Sequence, residues 1–127
     1  MENVDVGLAK LLGFVFDEKT PDRVVVSWTV GPEHLQPYGI VHGGVHCTAV
    51  ETAASVAAAL WYGDRGRVVG VANHTNFLRA AGEGERLVAT ATPIHRGRSQ
   101  QLWQVEVTDG EGRLVAKGEV RLQNLAG

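Results

Sequence analysis

From Gly44 to Tyr62 the chain passes through Val45, Ala49, Val50, Ala53, Ala54, Val56, Ala57, Ala58, Leu60 and Trp61. No proline or internal glycine interrupts it, and it holds a single carboxylate, Glu51. Alanine-rich and apolar on most sides, it reads as one long helix that belongs in a core rather than on a surface. Its small side chains let a sheet or a second helix approach closely. Gly63-Asp64-Arg65-Gly66 ends it with ordinary turn chemistry. With 127 residues in all, one hydrophobic core and one domain over residues 1–127 are expected.

The flanking segments have the period of strands. Before the helix, residues 7–12 read as a short helix and Phe14–Phe16 as a short strand. Val24, Val26, Trp28 and Val30 then alternate with polar positions until Gly31-Pro32. After it come strands at about Val68–Leu78, Arg86–His95, Gln101–Thr108 and Arg113–Leu122, broken at Ala81–Gly84, Arg96–Arg98 and Asp109–Gly112. The connections are too short for crossover helices, so the sheet is expected to be antiparallel. One long helix followed by an antiparallel meander predicts an α+β fold with the sheet wrapped around the helix.

Composition removes several function classes. Apolar residues make up 44% and charged residues 20%, with a formal net charge of −2, which gives no electrostatic reason for a nucleic acid partner. Cys47 is the single cysteine, so neither a disulfide framework nor a multi-cysteine metal site is available. Met1-Glu2-Asn3-Val4-Asp5 opens acidic, without the basic and apolar regions of a signal peptide. Val45–Leu60 is too short and too polar to span a membrane. A cytoplasmic protein is expected.

Glu51 is the odd residue of the helix. Its same-face neighbours Cys47, Thr48, Ala54 and Ser55 include no cation, and a buried carboxylate without a partner is costly. From the helix alone, a wetter edge with Glu51 facing water accounts for it equally well. The preceding loop, Gln36-Pro37-Tyr38-Gly39-Ile40-Val41-His42-Gly43-Gly44, adds an amide, an imidazole and bare backbone at the helix N-terminus. Free N–H groups there suit a developing negative charge. A carboxylate plus an oxyanion-binding N-terminus is equipment for acyl transfer or hydrolysis.

The string Gln36-Pro37-Tyr38-Gly39-x-x-His42-Gly43-Gly44, with Glu51 seven residues later and Ser55 four beyond, resembles the hotdog-fold acyl-CoA thioesterases. The match is to the group of the Arthrobacter-type 4-hydroxybenzoyl-CoA thioesterase and the PaaI-like and menaquinone-pathway enzymes. It continues through Asn76, Arg79, Pro93, His95, Gly97 and Gln101-Leu102-Trp103-Gln104, and covers roughly Val24 to Leu122. The resemblance implies that Glu51 is nucleophile or general base and that the Gly43 N–H polarises the thioester carbonyl. His42 and Gln36 would position that end, and Ser55 would orient Glu51 or the attacking water. It also implies coenzyme A contacts at Asn76, Arg79 and the loop of His95, Gly97, Arg98 and Ser99, with no metal or redox cofactor. Val56 and Leu60 are expected to line the acyl pocket, where their apolar character suits an aromatic or medium-chain group.

Spacing adds an independent argument. Gly43 and Glu51 lie about 12 Å apart along a helix, whereas a nucleophile must come within roughly 3–3.5 Å of the carbon it attacks. Two antiparallel copies can satisfy both demands, each completing the other's site. A homodimer with shared sites is therefore expected, and the resemblance implies further assembly into tetramers. A metal pair at His42 and His46 lacks a third ligand, and Cys47 reads as a small core residue. The alternative function is a non-catalytic acyl-CoA-binding hotdog protein, which has no need of Glu51 aimed at a reacting carbon.

Overall fold

The computed structural model describes residues 3–127; Met1 and Glu2, part of the acidic opening, lie outside the described residues. The elements in order are α1 (Gly7–Leu11), β1 (Val15–Lys19), β2 (Val24–Thr29), α2 (Gly43–Tyr62), β3 (Gly66–Phe77), β4 (Arg86–Arg96), β5 (Gln100–Thr108) and β6 (Leu114–Ala126). The strands form one sheet in the order β1-β2-β4-β5-β6-β3, every neighbouring pair antiparallel. It wraps α2, as the sequence predicts.

The expected meander holds only for β4, β5 and β6. β3 pairs with β6, so the chain crosses three strand intervals between β3 and β4. That distance is about 14 Å, and the eight residues 78–85 bridge it without a helix.

α2 is held by its buried side: Val45, Ala49, Val50, Ala53, Ala54, Val56, Ala57 and Ala58 pack against Val26, Trp28, Leu87, Ala89, Trp103, Val105 and Val120. Gly118 of β6 lets the helix close on the sheet, because a Cβ there would lie 2.6 Å from Val50 Cγ1. The helix ends at Gly63, φ 63°. Arg65 donates to the carbonyls of Tyr62 and Trp61 at 2.8 and 2.7 Å, meeting the orphan carbonyls of the last turn.

Beneath that end lies a buried polar network. Trp103 Nε1 donates to Gln101 Oε1 at 2.8 Å, and Gln101 Nε2 donates to Asn124 Oδ1 at 2.8 Å and to the Ala58 carbonyl at 3.3 Å. Asn124 Nδ2 in turn donates to the carbonyls of Gly97 and Arg98. The 97–99 turn is thereby tied to the helix.

Candidate active site

Around α2, the residues not buried are Gly44, Cys47, Thr48, Glu51, Thr52, Ser55 and Ala59, with Gly43 and the last two residues before Tyr62. Steps of three and four place most of them on one stripe, and Glu51 stands at its middle, exposed. The wetter edge is real, and it is the floor of a groove of about 570 Å3. Cys47, Thr48, Glu51, Thr52, Ser55 and Val56 line the groove, with Asn73 and Leu8 opposite.

β3 positions the carboxylate. Asn73 Nδ2 donates to the Cys47 carbonyl at 3.1 Å and, at 3.4 Å, to Glu51 Oε1, while Thr75 Oγ1 donates to Asn73 Oδ1 at 2.7 Å. Glu51 lies over Gly70, where a Cβ would meet its Oε2 at 3.6 Å. No cation is within salt-bridge distance of Glu51 among the described residues.

The other predicted group sits elsewhere. The 35–41 loop is pinned by bridges between Leu35 and Val41 and between Ile40 and Gly82. The His42 N–H donates to the His34 carbonyl at 2.8 Å. His34, buried, takes the Gly31 N–H on Nδ1 and contacts the Leu12 carbonyl through Nε2. His42 caps α2: its Nδ1 accepts from the Gly44 N–H at 2.7 Å, and its carbonyl accepts from the Val45 N–H at 2.9 Å. Those bonds leave the Gly43 N–H free to face a ligand. Because Nδ1 accepts, a neutral His42 carries its proton on Nε2 and presents a donor outward. Gln36 accepts the Tyr38 N–H on Oε1, so its NH2 end is left to donate. Gln36, Gly43, His46 and Arg79 border a second pocket of about 330 Å3 with Phe77 and Ala81.

In one chain, then, Glu51 with Ser55 and Val56 opens on one pocket and Gly43 with Gln36 on another. The remaining expected residues are more scattered. Asn76 falls on the outer face of the sheet with His74, Lys117 and Glu119, away from Glu51; Asn73, absent from the expected set, takes the inner position. Leu60 packs against the core and lines neither pocket. Arg79 belongs to the N-terminal end of α2. Arg96 reaches Trp61, 5.6 Å from its ring, so His95, Gly97, Arg98 and Ser99 belong to the C-terminal end, about 27 Å away. Arg96 itself is held by Asp22 at 2.7 Å. Among the described residues no three His, Cys, Asp or Glu side chains gather to hold a metal, and no helix is long and apolar enough to cross a membrane.

His46, buried against Trp28 and Phe77, is the inward partner that an (i, i+4) metal reading of His42 overlooks. Burial lowers its pKa from 6.5 to about 4. Between those values only the unfolded chain takes up the proton, so stability is full above pH 6.5 and falls toward pH 4. The loss is on the order of 3 kcal/mol. Urea titrations at pH 7 and 4.5 are expected to show that loss in the parent and to lack most of it in His46→Phe.

Comparison with known proteins adds the family. The thioesterase superfamily model matches residues 38–116. The putative esterase Rv1847 of Mycobacterium tuberculosis is 48% identical over 126 residues, covering 97% of this chain and 89% of the relative. The 1,4-dihydroxy-2-naphthoyl-CoA hydrolase of Escherichia coli is 33% identical over 118 residues, covering 91% of this chain and 86% of the relative. The crystal structure of S. sahachiroi AziG matches with a TM-score of 0.93 at 52% identity, covering 96% of this chain and 98% of that one. With a helix-wrapping antiparallel sheet and matches along nearly all its length, the chain belongs to the hotdog-fold thioesterase superfamily and is a thioester hydrolase.

Proposed function

We propose that the protein hydrolyses an acyl-CoA, with an aromatic or medium-chain acyl group favoured, to the free acid and CoA, and that it does so at sites shared between two copies. The observation that carries the reading is the lone Glu51 carboxylate, standing on the one open stripe of a buried helix and steadied by Asn73. Glu51 acts as nucleophile or as general base toward water. The Gly43 N–H takes up the charge that develops on the carbonyl oxygen, with His42 and Gln36 as neighbouring donors. Ser55, one turn beyond Glu51, steadies the attacking water. The C–S bond breaks, the thiolate leaves as CoA, and water supplies the new oxygen. Metal and redox cofactors have no part in this scheme. The aromatic preference is supported by the E. coli relative, named as a 1,4-dihydroxy-2-naphthoyl-CoA hydrolase.

Sharing is supported by the two separate pockets and by the strand beside them. β3 is a twelve-residue edge with Val71 54% and Phe77 56% exposed, a surface that a second copy would cover. Antiparallel copies bring the Gly43 end of one helix toward Glu51 of the other, and Arg79 of one copy toward the 95–99 loop of the other. Dimers pair again into tetramers in this reading, and a cytoplasmic setting suits a free thiol at Cys47.

The test is complementation with a panel of acyl-CoA thioesters assayed by thiol release. Glu51→Gln chains are mixed with chains disabled at Gln36 and Gly43, then exchanged. Shared sites restore up to one working site per mixed dimer, whereas sites built within one chain restore none. Tight acyl-CoA binding with no turnover in the parent would leave a binding protein instead. Replacing Arg79 or Arg98 by Ala is expected to raise KM roughly 3- to 10-fold with little change in kcat. Pantetheine thioesters that lack the nucleotide should be nearly indifferent. Equal losses on both substrates would point to assembly rather than recognition.

A further inference from the structure

Asn73 is bonded on both sides of its amide, and the partners admit one orientation. Its Nδ2 donates to the Cys47 carbonyl at 3.1 Å and to Glu51 Oε1 at 3.4 Å. A carbonyl and a carboxylate only accept, so the nitrogen must face them and Oδ1 must turn away. On that other side the Thr75 hydroxyl donates to Oδ1 at 2.7 Å. Cys47 and Glu51 stand about one turn apart on α2, so the amide straddles the turn that carries the carboxylate. The fold makes room for this arrangement at Gly118, which pairs with Thr75 across β3 and β6. A Cβ there would fall 2.6 Å from Thr75 Oγ1. β-Branching leaves the Thr75 hydroxyl few rotamers, which suits a group that holds another in place.

The consequence falls on the two oxygens of the carboxylate. Oε1 takes the Asn73 bond, whereas Oε2 takes no hydrogen bond among the described residues and lies over the bare backbone of Gly70. We propose that Thr75 is a positioning residue for hydrolysis: through Asn73 it holds Glu51 Oε1, so that Oε2 is the oxygen presented to substrate or water. The proposal rests on the thioesterase reading above. Thr75 makes no bond to the carboxylate and does not line the groove, so its reach to the reaction is through the amide. Without the hydroxyl, Oδ1 loses its donor and the amide is free to rotate or to take up water. Glu51 then samples positions in which neither oxygen is aimed. A displacement of about 1 Å can cost roughly 100-fold in rate. The loss belongs to kcat, because the reacting carbonyl and not the CoA arm meets Oε2.

The test measures kcat and KM with benzoyl-CoA and octanoyl-CoA in the parent, Thr75→Val, Thr75→Ser, Asn73→Ala and the double variant of Thr75→Val with Asn73→Ala. Thr75→Val keeps the shape and removes the donor, so kcat is expected to fall about 10-fold with KM within about twofold of the parent. Thr75→Ser should recover most of that loss. In the double variant the threonine change should add nothing to the loss from Asn73→Ala, since the path through the amide is already cut. Parental kcat in Thr75→Val, a loss carried by KM, or losses that multiply in the double variant overturns the proposal. The 13C signal of the Glu51 side-chain carboxyl gives a reading that needs no turnover. It should move in folded Thr75→Val and stay near its parental position in Thr75→Ser, although neither change touches Glu51. A signal unmoved in Thr75→Val means that the hydroxyl only supports the strand, and refutes the proposal. Thr75→Ala takes the place of Thr75→Val should the latter not fold. If the parent hydrolyses no acyl-CoA, the thioesterase reading falls, and the carboxyl signal still decides whether Thr75 holds Glu51.

Discussion

Glu51→Gln is expected to fold like the parent and to hydrolyse acyl-CoA at least about 100-fold more slowly. The side chain is exposed, and its recorded hydrogen bond is the 3.4 Å contact from Asn73, which an amide oxygen accepts as well as a carboxylate does. Stability should therefore move by less than about 0.5 kcal/mol, as for most exposed substitutions. The chemistry cannot survive so easily, since a neutral amide is neither base nor nucleophile. Thiol release and a thermal melt on the same preparation separate the two. Parental kcat in a folded variant would remove Glu51 from the mechanism. Ser55→Ala should cost less, because water can replace a hydroxyl that only steadies another water.

The largest effect on stability is expected away from the groove. Gln101→Leu keeps most of the side-chain volume but strands the Trp103 Nε1–H and the Asn124 Oδ1, both of which it now pairs at 2.8 Å. Each buried orphan costs about 1–3 kcal/mol, so a loss of about 2–6 kcal/mol is expected in urea unfolding. That is a large share of the roughly 5–15 kcal/mol typical of a domain. A loss under about 1 kcal/mol would mean that water enters the network and replaces the amide. The same variant should loosen the 97–99 turn, since Asn124 holds the Gly97 and Arg98 carbonyls. Faster amide exchange confined to that turn would register it.

The helix and most strands were legible because they are local patterns. The apolar run to Tyr62 and the left-handed Gly63 delimit α2, and period-two alternation delimits β2, β4 and β5. The position of β3 beside β6 was not legible, since pairing between distant strands leaves no local mark on either. Asn73 escaped for a sharper reason. Alternation counted from the inward Val68 puts Ala72, His74 and Asn76 on the inner face. The β-bulge between Gly70 and Ala72 reverses that parity and turns Asn73, Thr75 and Phe77 inward instead. A one-residue irregularity in a strand thus exchanged one asparagine for another. Glu51, His42 and Gly43 were legible as chemistry, yet the two pockets they open on depend on how the loop at 35–41 docks on Ala81 and Gly82.

The place of β6 between β5 and β3 governs the order in which this chain can fold. Its thirteen residues, Leu114–Ala126, are synthesised after β1–β5, and yet they form an inner strand of the sheet. Until they arrive, β3 has no strand to pair with, and the outer part of the helix lacks Gly118 and Val120 to lie on. A nascent chain that stops short of them exposes two unpaired strand edges at once, the arrangement that invites aggregation. Folding therefore waits for contacts between residues far apart in sequence, which predicts slow, late and highly cooperative closure.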